Sequence, residues 1–212
     1  MNGKTTDDNA VPAADNTLKR QVSPATLLAP VPAVLVSTGD MEKGNLVTVA
    51  WTGTVNSEPP MLSVSLRKSR YSHELLSASG KAVINLVSRE LAWATDLCGV
   101  RSGRDVDKFE LTGLTKVPSP RYGVPMVAES PVNLECSVTR VLELGSHDMF
   151  LLKIDTVHVA ERLFDSSGKI NIDRAELVAY CHGEYFELGK MLGFFGYSVA
   201  AKDVLKRRMK RK

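Results

Sequence analysis

The segment MLSVSL (61–66) sets Leu62, Val64 and Leu66 against Ser63 and Ser65. A two-residue period puts the apolar set on one face of a strand and the hydroxyls on the other, an arrangement no helix can satisfy. Strand-forming runs of similar character recur in PVPAVLVST (30–38), LVTVAW (46–51), KAVINLVS (81–88), VNLECSVTRVLELG (132–145) and MFLLKIDTVHVAE (149–161). Pro30 and Pro32 place the start of the first at a sheet edge. GDMEKGN (39–45) and GSHD (145–148) have the content of hairpin turns, so the last two runs form a long hairpin. Leu134, Cys136, Val138 and Val141 alternate with a slip that a bulge near Thr139 explains.

Three short helices interrupt the strands. SHELLSASGK (72–81) has Ser72 as N-cap and Gly80 as stop. RELAWATDLCG (89–99), capped by Ser88, repeats Leu91, Ala94, Thr95 and Cys98 at helical spacing. DVDKFELT (105–112) gives one or two further turns, with Asp105 as cap. AYCHGEYFELG (179–189) and MLGFFGYS (191–198) are rich in Gly and aromatics and suit loops and short strands. The expectation is a mainly β fold, a closed antiparallel β-barrel with helical insertions. No GxGxxG follows a strand, which disfavours a dinucleotide-binding parallel sheet.

The chain has 212 residues, 43% of them hydrophobic and 24% charged, enough for one domain with a sizeable core. That domain is expected over 21–200, between a polar, disordered arm (1–20) and a basic tail (201–212). The net charge of +3 owes much to KDVLKRRMKRK at 202–212, so no broad basic face and no nucleic-acid partner is expected. Cys98, Cys136 and Cys181 are odd in number and far apart, supporting neither a disulfide framework nor a metal site. The N-terminal residues lack the apolar core of a signal peptide, and no apolar run reaches the ~20 residues that span a bilayer. A soluble cytoplasmic protein with no membrane partner is the expectation.

Three segments carry candidate chemistry. In LRKSRYSHE, Arg67 and Arg70 with Ser69 and Ser72 follow a strand and precede a helix N-terminus. Unpaired first-turn amides and the helix dipole favour an anion there, above all a phosphate; a solvated charged loop is the competing reading. In CGVRSGRDVDKF, Arg101, Ser102, Gly103, Arg104 and Asp105 form a donor-rich loop, and Lys108 reaches the same site if the loop folds inward. A plain surface loop competes here too. In VAWTGTVNSEPP, Thr52, Thr54 and Ser57 and the backbone at Gly53 offer polar groups beside Trp51, which suits a flat heterocycle such as a flavin. The alternative is a turn whose threonines satisfy their own backbone. His182, in an aromatic-rich loop, is a candidate pocket residue; His147 and His158 read as structural or exposed. Cys98 is either a core residue of its helix or a thiol activated by Arg101. No Ser-His-Asp order or carboxylate pair stands out, so no side-chain catalytic residue and no metal ligand is expected.

NLVTVAWTGTVNSEPPMLSVSLRKSRYS, AVINLVSRELAWATDLCGVRSGRDVDKF, ESPVNLECSVTRVLELGSHDMFL and HGEYFELGKMLGFFGYS, taken in this order, resemble the flavoredoxin branch of the flavin reductase-like family. The resemblance runs from about Pro30 to Ser198. It implies an FMN-binding split β-barrel, usually a homodimer with FMN near the subunit interface. It also implies electron transfer from NADH or NADPH, or from a redox partner protein, through FMN to an acceptor; a non-catalytic FMN carrier is the alternative. Residues 51–54 and Thr48 would face the flavin ring. Ser65, Arg67, Tyr71 and Ser72 would hold the phosphate, joined by residues 101–105 and Lys108. A backbone N–H or cation from 101–105 is expected beside the ring edge that gains negative charge on reduction. Asn56 departs from relatives that carry a cysteine near that position, and the basic tail is outside the shared pattern.

Overall fold

A computed structural model describes residues 19–209. The expected N-terminal arm lies outside the described residues apart from Lys19 and Arg20, as do the last three residues of the tail. The strands are β1 (Val31–Pro32), β2 (Val34–Thr38), β3 (Asn45–Val49), β4 (Thr52–Ser57), β5 (Pro60–Leu66) and β6 (Lys81–Leu86) in the first half. The second half adds β7 (Lys116–Pro118), β8 (Pro125–Val127), β9 (Val132–Glu143), β10 (Asp148–Val159), β11 (Val178–Cys181) and β12 (Glu184–Glu187). The helices are α1 (Tyr71–Ser79), α2 (Ala92–Val100), α3 (Lys108–Thr112) and α4 (Lys202–Met209).

Seven strands form one antiparallel sheet in the order β3-β2-β6-β9-β10-β5-β4. Its two edge strands, β3 and β4, are separated in the chain by only Ala50 and Trp51. A link of that length spans about 10 Å at most, so the sheet curls until its edges nearly meet. The Ser65 amide donates to the Trp51 carbonyl at 3.0 Å in this closing corner.

The alternation read in β5 sets the interior. Leu62, Val64 and Leu66 are buried with Val34, Val36, Val47, Val49, Ile84, Phe150 and Leu152 inside the curl, while Ser63 and Ser65 are only partly covered. Leu76 of α1 is fully buried in the same cluster, so this helix plugs the barrel. Gly80, in the left-handed conformation at φ 64°, ends α1 as expected and donates to the Leu76 carbonyl. β2 is buried throughout because its other face is also covered: Leu35 packs with Leu46, Cys98 of α2, Phe109 of α3 and Val178 of β11. Leu91, Ala94, Thr95 and Cys98 are all buried, the stripe their spacing predicted.

In the long hairpin, Leu151 faces Arg140 and Leu152 faces Val138, which leaves Thr139 as the extra residue of the expected bulge. A second shift, where Ile154 faces Cys136 and Thr156 faces Glu135, leaves Asp155 unpaired. Asp155 accepts from Ser137 at 2.5 Å and from the Tyr122 hydroxyl at 2.9 Å. Fully buried Glu135 lies 2.7 Å from His158 and accepts from the amides of Arg121 and Tyr122. Together these carboxylates pin the 119–124 loop to β9 and β10.

Several local expectations are corrected. TGTVNS is strand β4 rather than a loop, because its backbone pairs with β5. Arg70, not Ser72, is the N-cap of α1 and offers no side-chain bond; Ser72 is fully buried and accepts from Asn45 at 2.8 Å. Ser88 precedes a 3-10 turn (Arg89–Leu91) without a side-chain bond, and α2 starts only at Ala92. Asp107 rather than Asp105 caps α3, accepting from the amides of Phe109 and Glu110. Residues 202–209 of the basic tail are helical. No described helix is long and apolar enough to cross a membrane.

Candidate functional site

Where β5 ends, Arg67, Lys68, Ser69 and Arg70 turn the chain into α1. The three cations separate in role. Lys68 reaches Glu143 at 2.7 Å and Asp148 at 3.5 Å, and Asp148 also pairs with His73 of α1 at 2.8 Å. These bonds tie the turn to the tip of the β9–β10 hairpin. Arg67 and Arg70 have no carboxylate partner among the described residues and face two adjoining cavities.

The first cavity is a cleft of about 340 Å³ along the closing corner of the barrel. Val47, Val49 and Leu66 contribute to an apolar wall, and Trp51, His147, Tyr180 and Tyr185 supply aromatic rings. Trp51, 47% exposed, lies with its ring centroid 4.5 Å from that of His147. Tyr180 and Tyr185 meet edge to face at 5.2 Å. Burial, with Arg67 adding to it, holds the His147 imidazole below its ordinary pKa, so it is mostly neutral at neutral pH. Thr48 lines the cleft and donates to the Thr95 carbonyl, and Gly99 keeps α2 close enough that an added Cβ would lie 3.3 Å from the Thr48 side chain.

The second cavity, of about 270 Å³, adjoins the first through Val47, Arg67 and Arg70. Ser69, Tyr71, Ser72, Arg101, Ser102, Gly103, Lys108 and Asn45 complete it. It contains the uncapped N-terminus of α1, where backbone N–H groups and the helix dipole favour an anion. Gly103 allows the 101–103 loop to approach: a Cβ there would lie 2.0 Å from the Asn45 side-chain oxygen. Asn45 thus joins β3, the 101–103 loop and, through Ser72, α1.

Of the sequence candidates, Thr48, Trp51, Ser65 and Arg67 line the cleft. Arg67, Tyr71, Ser72, Arg101, Ser102, Gly103 and Lys108 line the second cavity. Thr52, Gly53 and Thr54 belong to β4 and lie on neither wall; the Thr52 hydroxyl donates to the Ser63 carbonyl at 2.7 Å. Arg104 turns to Glu74 at 2.9 Å and lies over the Tyr71 ring, clasping its loop to α1, and Asp105 lines neither cavity. Residues 101–103 of this loop therefore line the second cavity, and the cations beside the cleft are Arg67 and Arg70.

His182 is a turn residue between β11 and β12, with φ at 50°, and is absent from both walls. His147, expected to be structural or exposed, is the histidine that lines the cleft. Cys98 is a core residue, its thiol pushed up to about 11 by burial. Sequence reasoning missed Asn45, which looked like a turn residue, and gave no specific role to Tyr180 and Tyr185. The aromatic-rich stretch around those tyrosines was the available signal. Among the described residues no group of His, Cys, Asp and Glu could hold a metal ion.

Residues 27–189 match the flavin reductase like domain family. The chain superposes on flavoredoxin of Desulfovibrio vulgaris with a TM-score of 0.77 at 32% identity, covering 84% of this chain and 97% of that one. Flavoredoxin from Methanosarcina acetivorans gives a TM-score of 0.77 at 28% identity, covering 86% and 100%. The chain belongs to the flavoredoxin branch of the flavin reductase-like family. High molecular weight rubredoxin of Moorella thermoacetica is 30% identical over 115 residues, 53% of this chain and 48% of that protein. Membership makes the fold a split β-barrel and the chain a flavin-binding oxidoreductase of electron-transfer type. In this flavoredoxin-branch chain, the barrel's closing corner supplies the cleft, and α1 with the 101–103 loop supplies the cation-lined cavity.

Proposed function

We propose that the chain holds FMN across the two linked cavities and passes electrons from NADH, NADPH or a redox partner to an acceptor. One observation carries this reading: an aromatic cleft and a cavity whose cations form no ion pair among the described residues share Arg67 and Arg70 as a common wall. A ligand with a flat ring at one end and a phosphate at the other matches both. Trp51, Thr48, Ser65 and the tyrosines would hold the ring. Arg67, Arg70, Arg101, Lys108, Ser69 and the first amides of α1 would hold the phosphate.

Bound flavin supplies two-electron redox chemistry, and the chain supplies binding, orientation and electrostatics. Arg67 and Arg70 place fixed positive charge beside the cleft and would favour any form of the ligand that gains negative charge there. His147, kept mostly neutral, can exchange hydrogen bonds at the cleft rim without adding a charge. The apolar side chains of the wall would exclude water from the face that they cover.

The rubredoxin relative supports a redox protein as one exchange partner. A homodimer belongs to the same reading, because Trp51, Val55, Leu192 and Phe195 leave apolar surface exposed that a second copy would cover. Free cysteines throughout fit a reducing, cytoplasmic setting. Steady oxidation of NADH or NADPH with added FMN tests the enzymatic reading. No turnover with either nicotinamide, despite tight FMN binding, would leave an electron or flavin carrier. Sedimentation as a monomer at micromolar concentration would contradict the dimer.

A further inference from the structure

Lys108 is the first residue of α3, yet its side chain is turned inward and only 4% exposed. Its ammonium donates to the Leu46 carbonyl of β3 and the Cys98 carbonyl of α2, each at 2.7 Å. An ammonium has three donors, so one remains, and the residue lines the cation-rich cavity. No carboxylate among the described residues forms an ion pair with it. The groups around it are Cys98 from α2, Arg67 and Arg70 from the turn after β5, Tyr71 from α1 and Arg101 from the loop after α2. β3 presents Asn45 and a backbone carbonyl. On Lys108's own helix, Asp107 directs its carboxylate to the amides of Phe109 and Glu110. A buried cation without a counter-charge is costly, and here it borders a space that three arginines also face.

We propose that Lys108 is the charge-sensing floor of this cavity, so that in alkaline solution the site takes up one proton together with its ligand's phosphate. The inference rests on the FMN reading and adds to it a proton that is taken up with the ligand. Burial already pulls the free Lys108 ammonium down to about 8, with Arg70 pushing the same way and Cys98 opposing. A phosphate dianion beside it restores the charged form. Below this value, down to the second ionisation of the phosphate at about pH 6, the lysine is charged in both states and binding is indifferent to pH. Above it, the free protein must take up a proton to bind, and affinity weakens until pH reaches the raised value of the complex. The other cations of the cavity are arginines, which keep their charge throughout this range. Lys108 is therefore a specificity-determining residue, distinct in behaviour from the arginines beside it.

The test is a fluorescence titration of the intact chain with FMN and with riboflavin between about pH 7 and pH 9. The expected result is an FMN Kd that rises about tenfold across this interval while the riboflavin Kd stays constant. Lys108→Met should bind FMN more weakly at pH 7 and lose the dependence. If that variant fails to fold, the wild-type profiles decide alone. An FMN Kd that is flat with pH, or a riboflavin Kd that rises in parallel, overturns the inference and leaves the FMN reading intact. No FMN binding at any pH overturns both.

Discussion

At single residues, the turn after β5 shows how neighbouring charges in sequence divide between ion pairs and open cavities. Lys68 is neutralised by Glu143 and Asp148, whereas Arg67 and Arg70 are left to the cavities. Replacing Arg67 by Ala should weaken FMN binding by roughly 2 kcal/mol, the low end for a charge pair that only its ligand desolvates. Riboflavin, which lacks the phosphate, should bind nearly unchanged; titration of both ligands checks this, and equal losses would remove Arg67 from the phosphate site. The cationic cluster was legible in sequence because charge needs no partner to be noticed. Asn45 was not, since its importance lies in touching Gly103 and Ser72, 58 and 27 positions away by numbering. His182 is the opposite case. Its place beside tyrosines suggested a pocket, but a left-handed backbone turns it to the tip of a hairpin.

At the scale of elements, the period of two in β5 and the slip at Thr139 both carried through to the structure, because strand faces and bulges are local consequences of side-chain order. The pairing of TGTVNS with β5 was not local. Its small, polar residues resemble a loop until a partner strand supplies the ladder bonds. The clasp over β9 and β10 is likewise invisible in sequence. Burial alone would raise the Glu135 carboxyl, but its bonds to His158 and to the amides of Arg121 and Tyr122 outweigh it and hold it below the ordinary value of 4.5. Its stabilisation is therefore present above that value and lost as pH falls through the depressed folded value. Glu135→Gln should cost about 1–3 kcal/mol at pH 7 and reduce the fall of the urea midpoint between about pH 6 and pH 3.5. An unchanged acid profile would show that Glu135 does not anchor the 119–124 loop.

At the scale of the whole molecule, closure of the sheet makes the site. The two-residue link from β3 to β4 brings Trp51 beside β5 and the hairpin tip, and α1 enters the barrel where the β5 cations end. Cleft and cation cavity are thus consecutive stretches of one wall. The mainly β class and both cation-bearing segments were readable from sequence, but their meeting at one cavity beside Arg67 and Arg70 required the curl. The outer strand β4, exposed from Thr54 to Ser57, is an edge that the homodimer reading leaves open to a second copy. If the linked cavities recognise a ring and a phosphate at once, the Kd values of FMN and riboflavin, measured side by side on the purified chain at pH 7, must differ. One FMN per chain should bind about a hundredfold more tightly than riboflavin, a gap of about 2.7 kcal/mol. Equal affinity for the two flavins, or binding of neither, would contradict it.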